Sequence, residues 1–204
     1  MIEAALPPGV SRETLYRLAR LEGLLSKWNP AINLVARSTV PQAWDRHILD
    51  SAQLFSMSPE SAKRWVDLGS GGGFPGLVIA CLASELRPHL KVTLIESDQR
   101  KSTFLRQAAA DLDLDVRVLT NRIESTEAQN AEVLSARALA SLPALLVYAR
   151  RHLHPQGIAL FPKGASWKEE VEHARKEWHF DLSTKPSVTD PQAVILAVKA
   201  ITHV

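Results

Sequence analysis

Residues 67–76 read Asp-Leu-Gly-Ser-Gly-Gly-Gly-Phe-Pro-Gly and follow the short apolar pair Trp65-Val66. Glycines at 69, 71 and 73 let the chain turn tightly and bring bare backbone N–H groups close to a ligand. Pro75 presets φ for the first turn of a helix, whose apolar body runs from Leu77 to Leu82. Strand, glycine loop and helix in this order form the opening unit of a nucleotide-binding α/β sheet.

Two ligand readings fit the loop. Gly71, Gly73 and Gly76 match G-x-G-x-x-G, the dinucleotide fingerprint. Asp67, Gly69, Gly71 and Gly73 match D-x-G-x-G-x-G, the pattern of S-adenosylmethionine-dependent methyltransferases. Charge separates the two. A carboxylate at the strand end repels a pyrophosphate, whereas S-adenosylmethionine, with a sulfonium and an ammonium against one carboxylate, is net cationic. Asp67 is therefore expected at a cationic ligand. A tight turn that binds nothing is the remaining reading, although glycines this dense serve few other purposes.

Downstream, Val92-Thr93-Leu94-Ile95 forms a second strand ending in Glu96. An acid at that place accepts hydrogen bonds from ribose hydroxyls. Both ligands carry an adenosine ribose, so Glu96 supports adenosine binding without choosing between them; its alternative role is a solvated acid near the next helix N-terminus. Asp98 fits the cap of that helix.

The remainder of the 204 residues reads as one α/β sheet. A helix over 98–112 buries Phe104, Leu105, Ala108 and Leu112. Strands follow at Asp115–Leu119, Val133–Ala136 and Gly157–Phe161, with helices at Leu142–Leu153 and Trp167–Trp178. Alternation of this kind implies a parallel sheet. Two last strands, near Phe180–Ser183 and Ala193–Val198, lie too close in sequence for a helical crossover and imply an antiparallel hairpin. That ending favours a methyltransferase over an oxidoreductase.

Ahead of the sheet lies a helical extension. Leu15, Leu18, Leu21, Leu25 and Trp28 keep helical spacing, Ser11 caps their helix, and Asn29-Pro30 is expected to break it. A second helix is expected over Val40–Phe55, ended by Ser58-Pro59. The division is thus a helical extension, 1–60, packed on a core domain, 61–204. Residues 1–64 hold eight Lys and Arg against six Asp and Glu, and the rest of the chain sixteen of each. A net charge of +2 does not by itself establish a nucleic-acid partner.

One cysteine, Cys81, sits among apolar helix residues and reads as a small core residue. The N-terminus shows no basic segment followed by an apolar stretch, and Leu77–Ala83 is too short to span a bilayer. A cytoplasmic protein away from membranes is expected. His152 and His154 lack metal-ligand spacing, so no metal site is expected.

Three further stretches, Lys27-Trp28-Asn29, Asn33-Leu34 and Arg46-His47-Ile48-Leu49-Asp50-Ser51, join the glycine loop in a specific resemblance. It continues through Lys101 with Phe104-Leu105-Arg106, Arg122 with Glu124, Arg137-Ala138 and Lys163-Gly164. Together these span nearly the whole chain. The sequence resembles the bacterial small-subunit ribosomal RNA guanine-N7 methyltransferase family, also called glucose-inhibited division protein B. The resemblance implies a Rossmann-like, seven-stranded methyltransferase sheet behind a helical extension. It also implies transfer of a methyl group from S-adenosyl-L-methionine to N7 of one guanine in the decoding-region loop of 16S rRNA. The expected partner is the 16S rRNA or the small ribosomal subunit, and a monomer is expected. Gly72 departs from the family's usual residue, which affects loop stiffness more than chemistry.

Carried onto matching positions, the resemblance implies cofactor contacts at Gly69, Gly71, Phe74, Ile123, Glu124 and Arg137, beside Asp67 and Glu96. Ile123 can cover one adenine face while backbone groups at Ile123 and Glu124 read its edge; the alternative is a plain core residue. Arg137, at a strand end where ligands collect, can bind the methionine carboxylate or RNA, or form a surface salt bridge. Arg46, His47 and Lys163 are the RNA-side candidates, each with a plain surface charge as the alternative; His47 and Asp50 can also pair on one helix face. N7 of guanine has a free lone pair and loses no proton before attack, so no catalytic base is assigned. The other function classes are a dinucleotide-dependent oxidoreductase and a non-catalytic S-adenosylmethionine-binding protein.

Overall fold

Ser11 starts the first helix, α1 (Arg12–Ile32), by accepting the Thr14 N–H at its side chain. The computed structural model describes residues 5–204. Leu18, Leu21 and Leu25 are fully buried along one face of α1, as 3.6-residue spacing requires. The expected break at Asn29-Pro30 does not occur: α1 runs on to Ile32 and stops at Asn33, which has a left-handed φ of 49°. Asn29 sets this exit from inside the last turn. It is buried, its carbonyl accepts Asn33 N–H, and its Oδ1 accepts Val35 N–H at 2.9 Å.

The single helix expected over Val40–Phe55 is a run of changing pitch instead. A 3-10 turn at Arg37–Gln42 leads into a π-helix at Trp44–Leu49, one α turn at Asp50–Ala52 and a second 3-10 turn at Phe55–Met57. The wide π turn buries His47, Ile48 and Leu49 in succession. Such wide turns are rare and concentrate at functional sites.

The sheet begins with β1 (Arg64–Leu68), followed by α2 (Gly76–Leu86), β2 (Lys91–Ile95), α3 (Gln99–Asp111), β3 (Val116–Leu119) and β4 (Ala131–Ala136). Then come α4 (Leu142–His152), β5 (Leu153–Lys163), α5 (Trp167–Ala174), β6 (Trp178–Pro186) and β7 (Val194–His203). Their spatial order is β3-β2-β1-β4-β5-β7-β6. The first five strands are parallel, and β7 runs antiparallel between β5 and β6. The closing hairpin of the sequence reading is therefore present. Asp98 caps α3 as expected, accepting from Arg100 and Lys101 N–H.

Alternate residues feed two separate cores. Trp65, Leu94, Val133 and Leu160 face the core shared with α1, α2 and α3; Val66, Ile95, Leu134 and Phe161 face the one under α4 and α5. Burial of both faces is what an apolar parallel sheet demands. Several boundaries shift, β4, β6 and β7 running longer than expected, and two of the shifts have a visible cause. β5 starts four residues earlier than expected, at Leu153, because Leu153 pairs with Ala131 ahead of a register shift. Helix α5 ends at Ala174 rather than Trp178, because Trp178 opens β6 opposite His203 and packs edge-on against its ring.

Candidate cofactor and substrate cavity

A cavity of about 1240 Å³ opens at the carboxyl ends of β1, β2, β4 and β5, the place where open α/β sheets collect ligands. Gly69, Gly71, Phe74, Glu96, Ile123, Glu124 and Arg137 all line it, and so do Arg46, His47 and Lys163. The fold thus gathers ten of the eleven expected site residues from six separate segments.

Asp67 is the exception. It is fully buried behind the loop and does not reach the cavity. Its Oδ2 accepts Gly76 N–H at 3.2 Å, and its Oδ1 accepts the Ser135 hydroxyl at 2.7 Å. Trp65 Nε1 donates to that same Ser135 oxygen at 2.9 Å, so the hydroxyl proton has one direction left, toward Asp67. Burial pushes the Asp67 carboxyl up to about 6. The contact to a cationic ligand expected from the sequence is replaced by a structural one: Asp67 anchors the start of α2 from beneath. The fit is close, since a Cβ at Gly76 would lie 2.9 Å from Asp67 Oδ2 and inside the Leu94 side chain.

Above Asp67 the loop faces the cavity. Gly71 has φ 51°, a conformation that ordinary residues resist, and its N–H donates to Glu96 Oε2 at 2.8 Å. Asp98 N–H donates to the other Glu96 oxygen at 2.8 Å. Each carboxylate oxygen has two acceptor positions, so Glu96 is held rigidly by the backbone with an acceptor left on each oxygen. That fits two ribose hydroxyls. Ile123 is nearly buried, and its carbonyl is occupied by His152. The exposed Glu124 receives the Tyr148 hydroxyl, which keeps its carboxyl below the usual carboxylate range.

On the opposite wall Arg137 is immobilised. Its Nη1 donates to the Arg46 carbonyl at 2.8 Å and approaches Asp50 Oδ2 at 3.5 Å; its Nη2 lies 2.9 Å from His47 Nδ1. A guanidinium only donates, so Nδ1 accepts and Nε2 carries the proton. That proton goes to Thr39 Oγ1 at 2.8 Å, and the Thr39 hydroxyl donates onward to the Ala36 carbonyl at 2.7 Å. Burial, then the charges of Arg137 and Arg46, lower the His47 pKa to about 4, so the ring is neutral. The same ring stacks on Phe74, with centroids 5.2 Å apart. His47 and Asp50 do not pair; Arg137 sits between them and uses both.

Lys163 is also occupied. Its ammonium lies 2.8 Å from Glu170 Oε2 and 2.8 Å from the Ala140 carbonyl. Neither His47 nor Lys163 presents a free charge to the cavity. Asp50, Thr39, Ser187 and Thr189 complete this wall; Thr39, Ser187 and Thr189 were not singled out from the sequence, and Asp50 only as a possible partner of His47. Asp50 Oδ1 accepts from Gln53, Ser187 and Thr189, which ties the extension to the β6–β7 loop. Short polar residues of this kind have no distinctive pattern, and only the fold shows that they meet.

A family profile described as GidB, rRNA small subunit methyltransferase G, matches residues 15–195. A protein of Ruegeria sp. (strain TM1040) named ribosomal RNA small subunit methyltransferase G is 53% identical over 195 residues, covering 96% of this chain and 95% of its own. Its namesake from Ruegeria pomeroyi is 48% identical over all 204 residues, covering the whole of both chains. The sheet also superposes on a TehB-like SAM-dependent methyltransferase from Corynebacterium glutamicum with a TM-score of 0.57. That structure is 16% identical, with 89% of this chain and 98% of that one covered, and it speaks to the Rossmann-like methyltransferase fold alone. With the family profile and near full-length identity in agreement, the chain belongs to the rRNA small subunit methyltransferase G family.

Proposed function

We propose that this protein transfers the methyl group of S-adenosyl-L-methionine to N7 of a guanine in the decoding-region loop of 16S rRNA. The observation that carries the reading is the pairing of a backbone-fixed Glu96 with the glycine loop at one end of the cavity. In this reading the carboxylate takes the ribose hydroxyls, Ile123 covers the adenine, and Gly69, Gly71 and Phe74 shape the loop beneath the methionine portion. Bound S-adenosylmethionine supplies an electrophilic methyl on a sulfonium. N7 needs no deprotonation, so the chain's task is alignment and exclusion of water, and a wall fixed by Arg137, His47 and Asp50 serves that task. Family membership favours this reading over a dinucleotide oxidoreductase and over a cofactor-binding protein without turnover.

For the RNA, Arg46 is an exposed cation of the extension at the cavity rim. Lys101 and Arg122 line the same rim, and none of the three forms an ion pair among the described residues. Free cations at a cavity mouth suit phosphate contacts. His47 and Lys163 shape the RNA-side wall through their partners instead of meeting phosphate directly. The reading treats residues 1–60 as the substrate-side extension and 61–204 as the methyltransferase domain of a cytoplasmic monomer. No described helix is long and apolar enough to cross a membrane. Mapping N7-methylguanine in 16S rRNA from cells with and without the gene tests the proposal. Loss of one decoding-region modification in the deletion strain, restored by the gene, is expected; an unchanged modification map refutes it.

A further inference from the structure

One face of α4 carries Tyr148, Arg151 and His152, and all three side chains end on the short turn 123–126. His152 Nε2 lies 3.0 Å from the Ile123 carbonyl. A carbonyl only accepts, so Nε2 holds the ring's proton, while the buried Nδ1 has no partner among the described residues. Arg151 donates twice to the Thr126 carbonyl, from Nε at 3.0 Å and Nη2 at 2.9 Å. Tyr148 donates its hydroxyl to Glu124 Oε1 at 2.7 Å. Within the turn, Thr126 Oγ1 donates to the Arg122 carbonyl at 2.8 Å.

A 3-10 turn of three residues, Ile123–Ser125, has little internal bonding to hold it in place. Glu124 is exposed and would spend considerable rotamer freedom if it were fixed by a ligand alone. Helix α4 removes that freedom beforehand. Its contacts occupy the Ile123 and Thr126 carbonyls and one oxygen of Glu124, and Ile123 and Glu124 both line the cavity. The other carboxylate oxygen, Oε2, stays available as an acceptor.

We infer that Tyr148, Arg151 and His152 are positioning residues for base selection: they hold the 123–126 turn so that Glu124 accepts from the 6-amino group of a purine and rejects a 6-oxo purine. This rests on the assignment of the cavity as the S-adenosylmethionine site. The chemistry is one-sided, because an ionised carboxylate only accepts, an amino group donates, and a 6-oxo group accepts. A site built to pair with a donor rejects an analogue that lacks it far better than a purely apolar pocket does.

The test is calorimetric binding of S-adenosylhomocysteine and S-inosylhomocysteine, which differ at position 6 of the base, to the full chain. The wild type is expected to favour the adenine compound at least tenfold. Tyr148→Phe removes one oxygen from a ring that keeps its packing, and is expected to narrow that preference threefold or more. His152→Leu is expected to do the same, while His152→Gln, which retains an N–H donor, restores the wild-type ratio. Variants that unfold at lower temperature yet keep the wild-type ratio overturn the proposal and leave α4 a purely structural support. A wild type that binds both compounds equally also overturns it. Failure to bind either one refutes the cofactor-site assignment itself, which keeps the two conclusions apart.

Discussion

Replacing Asp67 with Asn isolates the carboxylate buried beneath the glycine loop. Burial raises its pKa from 3.8 to about 6 in the folded chain, even though Ser135 and Gly76 donate hydrogen bonds to it. A folded pKa above the unfolded one means that the native state binds the proton more tightly. The stabilisation from this group is then complete below about pH 3.8 and is lost as pH rises through about 6. A shift of roughly two units is worth about 3 kcal/mol over the whole range. About 1 kcal/mol of it falls between pH 5 and pH 7. Asn does not titrate, and the other ionising groups cancel when the two proteins are compared. The stability of wild type minus Asp67→Asn is therefore expected to grow by about 1 kcal/mol as the buffer is taken from pH 7 to pH 5. Urea unfolding at pH 5, 6 and 7 reads this as a widening gap between midpoints. A gap that does not change with pH, or that closes in acid, would refute the raised pKa and with it the placement of an ionisable group in a dry site.

Gly76→Ala places a methyl group against Asp67 and Leu94; overpacking of this kind is expected to cost about 1–3 kcal/mol, visible as a lowered thermal midpoint, and an unchanged midpoint would show that the loop relaxes freely. Arg46→Ala is expected to reduce methyl transfer while S-adenosylmethionine affinity stays near wild type, because only the exposed side chain is lost and the carbonyl that receives Arg137 remains. Its RNA binding should show a log–log salt slope shallower by about one, and identical slopes with normal methylation would make Arg46 an ordinary surface residue.

The strands and the glycine loop were legible because their signals are local. Alternating apolar residues, a capping Asp98 and glycines at fixed spacing state their geometry within ten residues of chain. Glu96 was readable for the same reason. Asp67 was visible as a carboxylate but not as a buried one, since its partners are Ser135 on the neighbouring strand β4 and Gly76 beyond the loop. The extension misled twice. Pro30 is tolerated near the end of α1 because buried Asn29 supplies the exit contacts, and the π turn at 44–49 obeys packing against the core rather than any helical repeat. Lys163 and His47 were expected to offer charge to RNA, yet their partners Glu170 and Arg137 come from other elements that no spacing rule connects. Contacts spanning most of the chain, such as Asp50 with Thr189, leave no trace in a single sequence.

The position of β7 has a consequence for how the protein comes into being. It is last in the chain but interior in the sheet, hydrogen-bonded on one side to β5 and on the other to β6. Until residues 194–203 are available, β6 has no neighbour to pair with, and the loop bearing Ser187 and Thr189 has no fixed place from which to reach Asp50, 139 positions earlier. During synthesis the parallel half of the sheet can form as it emerges, whereas the wall that joins Asp50 to Thr189 closes only when β7 slides in as a keystone. Assembly of the cavity is thereby coupled to residues 194–203, and a polypeptide without them holds a glycine loop without the wall that faces it.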